Sequence, residues 1–180
     1  MRALIVYESM SGNTRDIALA IADGLSPTVS VEVVPVGAAP PGPDPDVDLL
    51  IVGAPTVVLG LSTPRTRSAA SARAFGPGSP SGPGGPEAIG LREWLQALPH
   101  CGSHRDALTF DTRLRVRGMP GSASKDAAKR LRRRGYRLLW PSKTFHVVNP
   151  SGPLIDGELE EARLWGRWIR IGLDVKQARL

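Results

Sequence analysis

Short apolar segments alternate with helical segments along this chain, and that alternation limits the fold more than any other feature. Residues 2–8 form a nearly continuous apolar run, which is typical of a strand buried on both faces. We predict further strands at 29–36, 47–52, 107–112 and 136–140, the last with 144–148 as an optional continuation. Amphipathic or helical patterns mark residues 13–25, 89–98, 122–134 and 155–173. The sequence therefore predicts an α/β fold, a doubly wound five-stranded parallel sheet between two helical layers.

Two segments rich in glycine and proline interrupt this alternation. Nine of the eleven residues from 76 to 86 are Gly or Pro, so we expect an irregular loop over about residues 62–86. Residues 39–46 are rich in proline and leave too little chain for a crossover helix. We therefore expect the second crossover to be a loop or a single turn. The length of 180 residues suits one domain that spans residues 1–180.

Composition narrows the class of protein. The net charge is +6, and the segment 113–137 alone holds ten Lys or Arg and one acid. Aromatic residues do not interleave with these charges, so we expect no nucleic-acid partner. No run approaches the ~20 apolar residues of a membrane span. The single cysteine excludes an internal disulfide framework. The spacing of His100 to His104 matches no usual zinc pattern, so we expect no metal. We expect a cytoplasmic protein.

The loop after the first strand carries the strongest chemical signal. It reads Glu8-Ser9-Met10-Ser11-Gly12-Asn13-Thr14 and leads directly into a helix. Hydroxyl groups, a glycine for a tight turn and the free N–H groups of a helix start together suit a phosphate monoester. The loop lacks the lysine of the triphosphate-binding loop and the spacing of the dinucleotide fingerprint. The alternative interpretation is an N-capped helix that follows a polar turn.

These residues resemble the phosphate loop of the flavodoxin family, and other segments agree. Residues 51–56 resemble the family's third strand and the loop after it, and residues 109–113 fall where its second flavin loop begins. Residues 152–163 resemble the last helix of a bacterial flavodoxin-like subgroup. The resemblance implies the strand order 2-1-3-4-5, non-covalently bound FMN, and a redox partner protein or small electron acceptor.

The resemblance also implies site residues, none of them catalytic. The phosphate would be held by Ser9, Met10, Ser11, Gly12, Asn13 and Thr14. The flavin ring would be contacted from the loop after the third strand, by Pro55, Thr56, Val57 and Gly60. On its other side would lie Phe110, Asp111, Thr112 and Arg113.

This chain departs from the family's pattern in two respects. Neither residues 57–61 nor residues 113–119 contain an aromatic side chain that would stack on the ring. The chain is basic where flavodoxins are typically acidic, and Arg113, Arg115 or Arg117 near the ring would raise its potential. Arg65 and Arg67 belong either to a solvated loop or to a ligand contact. Two functions follow: an FMN redox protein, as an electron carrier or the flavin component of a small reductase, or a flavodoxin-like scaffold without flavin that acts as an interaction or regulatory module.

Overall fold

The structure is a computed structural model that describes residues 1–26, 28–75, 89–102, 105–116, 118 and 120–177. Its strands are β1 (Arg2–Tyr7), β2 (Ser30–Pro35), β3 (Leu49–Pro55), β4 (Asp106–Leu114), β5 (Arg137–Leu138) and β6 (Lys143–Val147). Its helices are α1 (Asn13–Leu25), α2 (Pro64–Phe75), α3 (Leu91–Ala97), α4 (Ala123–Arg133) and α5 (Glu158–Gln177). All strand pairs are parallel, and the order β2-β1-β3-β4-β5 confirms the prediction.

Alternate residues of the central strands feed two separate cores, one on each face of the sheet. Ala3 and Ile5 belong to the core beneath α1 and α5, whereas Leu4 and Val6 belong to the core beneath α3 and α4. Successive side chains of a strand point to opposite faces, so a run that is apolar at every position is buried on both. The predicted helical layers are therefore present on both faces.

The fifth position of the sheet is filled by two short strands rather than one. Both β5 and β6 pair with β4 in parallel, β5 near its beginning and β6 near its end. Pro141 lies between them, and proline has no N–H to donate to a ladder. The optional continuation at 144–148 is thus a separate strand, and its pairing extends β4 to Leu114, two residues beyond the predicted end.

The second crossover has no α-helix, as predicted. Its regular part is a single 3-10 turn at Val36–Ala38. Val36 is buried in the core on the α3 and α4 side. One buried side chain therefore covers part of the area that a helix would cover.

The expectation of an irregular loop from residue 62 is wrong for residues 64–75, which form α2. Thr63 caps this helix, because its hydroxyl accepts the N–H of Thr66 at 3.2 Å and the Thr66 hydroxyl accepts the N–H of Thr63 at 2.8 Å. Pro64 occupies the first helical position, where its missing N–H costs nothing. The remainder of that expectation, residues 76–86, lies outside the described residues.

Arg67 of α2 is buried rather than solvated or directed at a ligand. Its guanidinium is 3 % exposed, lies 3.0 Å from the Glu93 carboxylate and donates to the Ser62 hydroxyl at 2.9 Å. A buried charge requires this kind of pairing. We therefore interpret Arg67 as the residue that attaches α2 to α3.

Helices α1 and α5 approach each other closely through two glycines. A Cβ atom on Gly24 would lie 2.1 Å from the Arg163 carbonyl oxygen, and one on Gly166 would lie 2.4 Å from the Ile21 carbonyl oxygen. Backbone thus touches backbone at this crossing, and no side chain fits between them. None of the helices in the described part of the chain is long and apolar enough to cross a membrane.

Candidate functional site

The loop between β1 and α1 turns sharply into the helix at Gly12. Gly12 has φ +90°, a left-handed conformation that suits glycine, and it provides no side chain to cap α1. The Ser9 hydroxyl accepts the Gly12 N–H at 3.1 Å and the Arg15 N–H at 3.4 Å. Among the described residues, the N–H groups of Asn13 and Thr14 have no acceptor. The helix start therefore presents two free donors and the positive end of its dipole.

In α2, α3 and α4, the N–H group of the first helical residue is either absent, as at Pro64, or accepted by a side chain. Ser122 caps α4 by accepting the Lys125 N–H at 3.2 Å, and Asp111 accepts the Ser124 N–H at 3.2 Å. At α3, the Glu8 carboxylate accepts the Leu91 N–H at 2.7 Å. Helix α2 is capped by Thr63. At the start of α1, by contrast, the Ser9 hydroxyl accepts the Arg15 N–H, but the N–H groups of the first two helical residues, Asn13 and Thr14, have no acceptor among the described residues.

Asn13 joins the loop to a segment that the sequence analysis did not assign to the site. Its amide donates to the Ser11 hydroxyl at 2.9 Å and to the Ser151 carbonyl at 3.2 Å. Gly152 lies against the same amide, because a Cβ there would fall 2.6 Å from the Asn13 side-chain nitrogen. The segment before α5 thus forms one wall of the loop. In the sequence, the glycine at position 152 is the one residue that hints at this close approach, and its partner Asn13 is distant along the chain.

Thr14 ties the same loop to the end of β4. Its hydroxyl oxygen lies 2.8 Å from that of Thr112, and both residues are buried. Thr112 also accepts the Thr56 N–H on its carbonyl at 2.8 Å. The structure thereby brings together Thr14, Thr56 and Thr112, which the resemblance assigned to three separate loops. These contacts fix the relative positions of the loops after β1, β3 and β4.

The loop after β3 ends in a tight turn whose tip is apolar and exposed. Val57 and Gly60 exchange hydrogen bonds at 3.0 and 3.2 Å, and between them Val58 and Leu59 are 68 % and 59 % exposed. Val58 has φ +59°, which is unfavourable for a β-branched residue. The turn therefore presents aliphatic side chains at the sheet edge where an aromatic would be expected in a flavodoxin.

Asp111 is fully buried and connects three elements beneath this edge. Its carboxylate accepts hydrogen bonds from the hydroxyls of Thr56 at 2.8 Å, Ser122 at 2.7 Å and Thr144 at 2.8 Å, together with the Ser124 N–H. Its two oxygens thus accept four hydrogen bonds from the protein. We interpret Asp111 as the residue that positions the loops rather than as one that touches a ligand.

Phe110 lies in the core and not at the edge. It is 0 % exposed, and its ring packs edge to face with Phe145 and Trp165 at 6.1 and 6.5 Å between ring centroids. Gly53 makes room for it, because a Cβ there would lie 2.0 Å from the Phe110 ring. Phe110 packs on the α1 and α5 side of β4, since it belongs to the core that those helices cover. The Phe110 ring is therefore enclosed by the core and is not presented to a ligand at the edge.

Arg113 is only partly exposed and spans the loop between β4 and α4. Its guanidinium donates to the Gly121 carbonyl at 2.6 Å. Gly121 in turn lies against the backbone of Leu59, since a Cβ there would fall 2.2 Å from the Leu59 carbonyl oxygen. Arg115 and Val116 are exposed beyond the end of β4. The loops after β3 and β4 are therefore in direct contact, and Arg117 lies outside the described residues.

The residues at this edge fit the phosphate group of an FMN molecule, and they present aliphatic side chains where its ring would lie. The two free N–H groups at the start of α1, with the adjacent Ser11 hydroxyl, are the donors that a phosphate requires. On the ring side, Val58 and Leu59 offer apolar surface without stacking aromatics. No group of three or more His, Cys, Asp or Glu in the described part of the chain is placed to hold a metal ion.

Comparison with solved structures gives flavodoxins. A flavodoxin from the domain Archaea superposes with a TM-score of 0.63 at 20 % identity, over 97 % of this chain and 99 % of that one. Flavodoxin 1 from Bacillus cereus gives 0.59 at 16 %, over 92 % and 95 % of the two chains. The Flv1 flavodiiron core from Synechocystis sp. PCC6803 gives 0.61 at 17 %, over 98 % of this chain and 36 % of that protein.

Sequence comparisons add no closer relative. No protein-family model matches this chain. No curated protein matches it. The strand order and the structural matches together establish a flavodoxin-like α/β fold, and the resemblance inferred from the sequence is confirmed at that level.

Proposed function

We propose that this protein binds FMN without a covalent bond and acts as a redox protein, either an electron carrier or the flavin component of a small reductase. The observation that carries the proposal is the pair of free N–H groups of Asn13 and Thr14 at the start of α1, which follows directly after a buried strand in a flavodoxin-like sheet. Its redox partner would be a protein or a small electron acceptor. The single cysteine agrees with a reducing compartment, and we propose the cytoplasm.

Each part of the edge would have its own task. The Asn13 and Thr14 N–H groups would bind the phosphate, and the Ser11 hydroxyl would donate to it. Thr56, Val57 and Gly60 would line the ring from the loop after β3, with Pro55 at its base. Thr112 and Arg113 would support the other side. Bound FMN would supply one- or two-electron transfer, and no acid or base from the chain is assigned to that transfer.

A second candidate is a flavodoxin-like scaffold that binds an anion but no flavin. It is favoured by the absence of aromatic side chains from residues 56–63 and from the described residues between β4 and α4. Aromatic stacking contributes about 0.5–1.5 kcal/mol per pair beyond area burial, so its loss weakens ring binding without affecting the phosphate. As an interaction or regulatory module, this candidate predicts phosphate binding without flavin binding.

A titration with three ligands separates the two candidates. The purified protein is titrated with FMN, riboflavin and inorganic phosphate, and flavin fluorescence or heat is followed. The proposed function predicts that FMN binds with a stoichiometry of one per chain. Riboflavin should bind at least tenfold more weakly than FMN, because riboflavin lacks the phosphate. The substitution Ser11→Ala should weaken FMN binding. Ser30 is an exposed serine in β2, and Ser30→Ala should leave FMN binding unchanged. No bound FMN at micromolar protein overturns the redox function, and phosphate binding in that case supports the scaffold.

A further inference from the structure

The outer face of α5 carries a row of exposed apolar side chains. Leu164, Trp168, Ile171 and Val175 are 38 %, 64 %, 45 % and 48 % exposed. Their spacing of four, three and four residues places them on one side of the helix. The opposite side of α5 is buried in the core through Ala162, Ile169 and Leu173. We call the exposed row the α5 stripe.

The α5 stripe is a continuous surface rather than a scatter of single residues. Isolated exposed apolar side chains are common and need no explanation, but a contiguous patch that includes a tryptophan marks an interaction site. Trp140 is half-buried against the same helix, where its ring lies 2.7 Å from the position of a Cβ on Gly172. The Trp168 ring is 64 % exposed, and a tryptophan that a partner covers contributes strongly to the free energy of binding.

Two charged residues beside the α5 stripe identify the partner. Arg167 and Asp174 are exposed, lie on the same side of the stripe and are separated by two helical turns. That separation, about 10.5 Å along the axis, is too long for an ion pair between them. Neither residue has an ion-pair partner in the described part of the chain. These two opposite charges are therefore available to form ion pairs with a second protein molecule.

We propose that the α5 stripe is the interface between two copies of this chain, with the two α5 helices antiparallel. A two-fold axis midway between Arg167 and Asp174 sets each Arg167 opposite the partner's Asp174, and this pairing occurs twice. The midpoint of the stripe, between Trp168 and Ile171, falls within one residue of the same axis. A two-fold interface must be self-complementary, and this pattern of charge and apolar surface meets that condition. A parallel arrangement would instead set Arg167 against Arg167.

Sedimentation equilibrium on the full chain at about 1 to 100 μM tests the proposal. The expected result is a dimer of twice the 19.2 kDa chain mass. Arg167→Asp and Asp174→Arg should each raise the dimer dissociation constant at least tenfold, because each single change sets like charges opposite each other. The double variant that exchanges the two charges should return it to within about threefold of the original. Arg132→Asp, at an exposed position on α4, is the matched control.

Trp168→Glu provides a second measurement that does not depend on the ion pairs. It should give a monomer at all concentrations while far-UV circular dichroism keeps the helical signal of the original chain. A monomer at 100 μM, a dimer that Trp168→Glu leaves intact, or no recovery in the exchanged double variant would each overturn the proposal. FMN binding is measured on the same samples, so the outcome for the interface is independent of the outcome for the flavin.

Discussion

Thr14 and Thr112 place their hydroxyl oxygens 2.8 Å apart inside the protein, 98 residues apart in the chain. The pair joins the first turn of α1 to the end of β4. Because both side chains are buried, a variant that removes one hydroxyl leaves the other without a partner. An unsatisfied buried hydroxyl costs about 1–3 kcal/mol, whereas replacement of both groups by apolar atoms of the same shape costs less.

This pair gives the first prediction. Thr14→Val and Thr112→Val should each lower the free energy of unfolding by about 1–3 kcal/mol, and the double variant should lose less than the sum. Urea denaturation of the four proteins measures the coupling. Additive losses would show that the two hydroxyls do not interact in solution.

Asp111→Asn should destabilise the protein strongly, because this carboxylate is fully buried and accepts four hydrogen bonds. The amide keeps the size of the side chain but turns an N–H group toward donors such as Thr56 and Ser122, which need an acceptor. We expect a loss of about 3 kcal/mol in the free energy of unfolding. Asp156→Asn, at an exposed position before α5, serves as the control and should change it by less than about 0.5 kcal/mol. Equal effects of the two substitutions would contradict the role given to Asp111.

Gly53→Ala tests the packing of Phe110. The added methyl group would lie 2.0 Å from the Phe110 ring, so either the ring or β3 must move. Overpacking of this kind costs about 1–3 kcal/mol or more. Gly37→Ala is the matched control, because no atom lies within 4 Å of the position of its Cβ. Thermal unfolding of both variants, with the melting temperature lowered only in Gly53→Ala, is the expected result.

Val58→Asn separates backbone strain from ligand contact at the tip of the loop after β3. Asn accepts the left-handed conformation better than a β-branched residue does, so the free energy of unfolding should rise by up to about 1 kcal/mol. The same substitution removes an apolar contact and should therefore weaken FMN binding, measured by fluorescence titration. Leu59→Asn, at the neighbouring position, should weaken FMN binding without raising the free energy of unfolding. A destabilised Val58→Asn protein would refute the strain argument.

The sequence predicted the elements whose signals are local. The apolar run at 2–8 and the helical patterns at 13–25 and 122–134 each depend on neighbouring residues, and all three elements are present. The loss of the second crossover helix also followed from local proline content. The placement of the loops after β1, β3 and β4 at one edge followed from the parallel sheet, where the carboxyl ends of the strands share that edge.

What the sequence missed depends on contacts between distant residues. β4 continues beyond Thr112 because β6 pairs with it, and no local pattern of residues predicts that pairing. Helix α2 was missed for a different reason. The glycine and proline count of its neighbours outweighed the cap at Thr63, and the buried pairing of Arg67 with Glu93 joins residues 26 positions apart. The contact of Asn13 with Gly152 is likewise set by the tertiary fold.

The unequal helix starts give the edge a direction. Ser122 and Asp111 accept N–H groups at the start of α4 and Glu8 accepts one at the start of α3, whereas the start of α1 keeps the Asn13 and Thr14 N–H groups free. An elongated ligand with one anionic end would consequently meet one attractive end-point, and only one of its two orientations would be favourable. Its uncharged end would then extend toward Val58 and Leu59 without any residue there having to select it. The polarity of binding would be decided by hydrogen bonds that the protein makes to itself elsewhere.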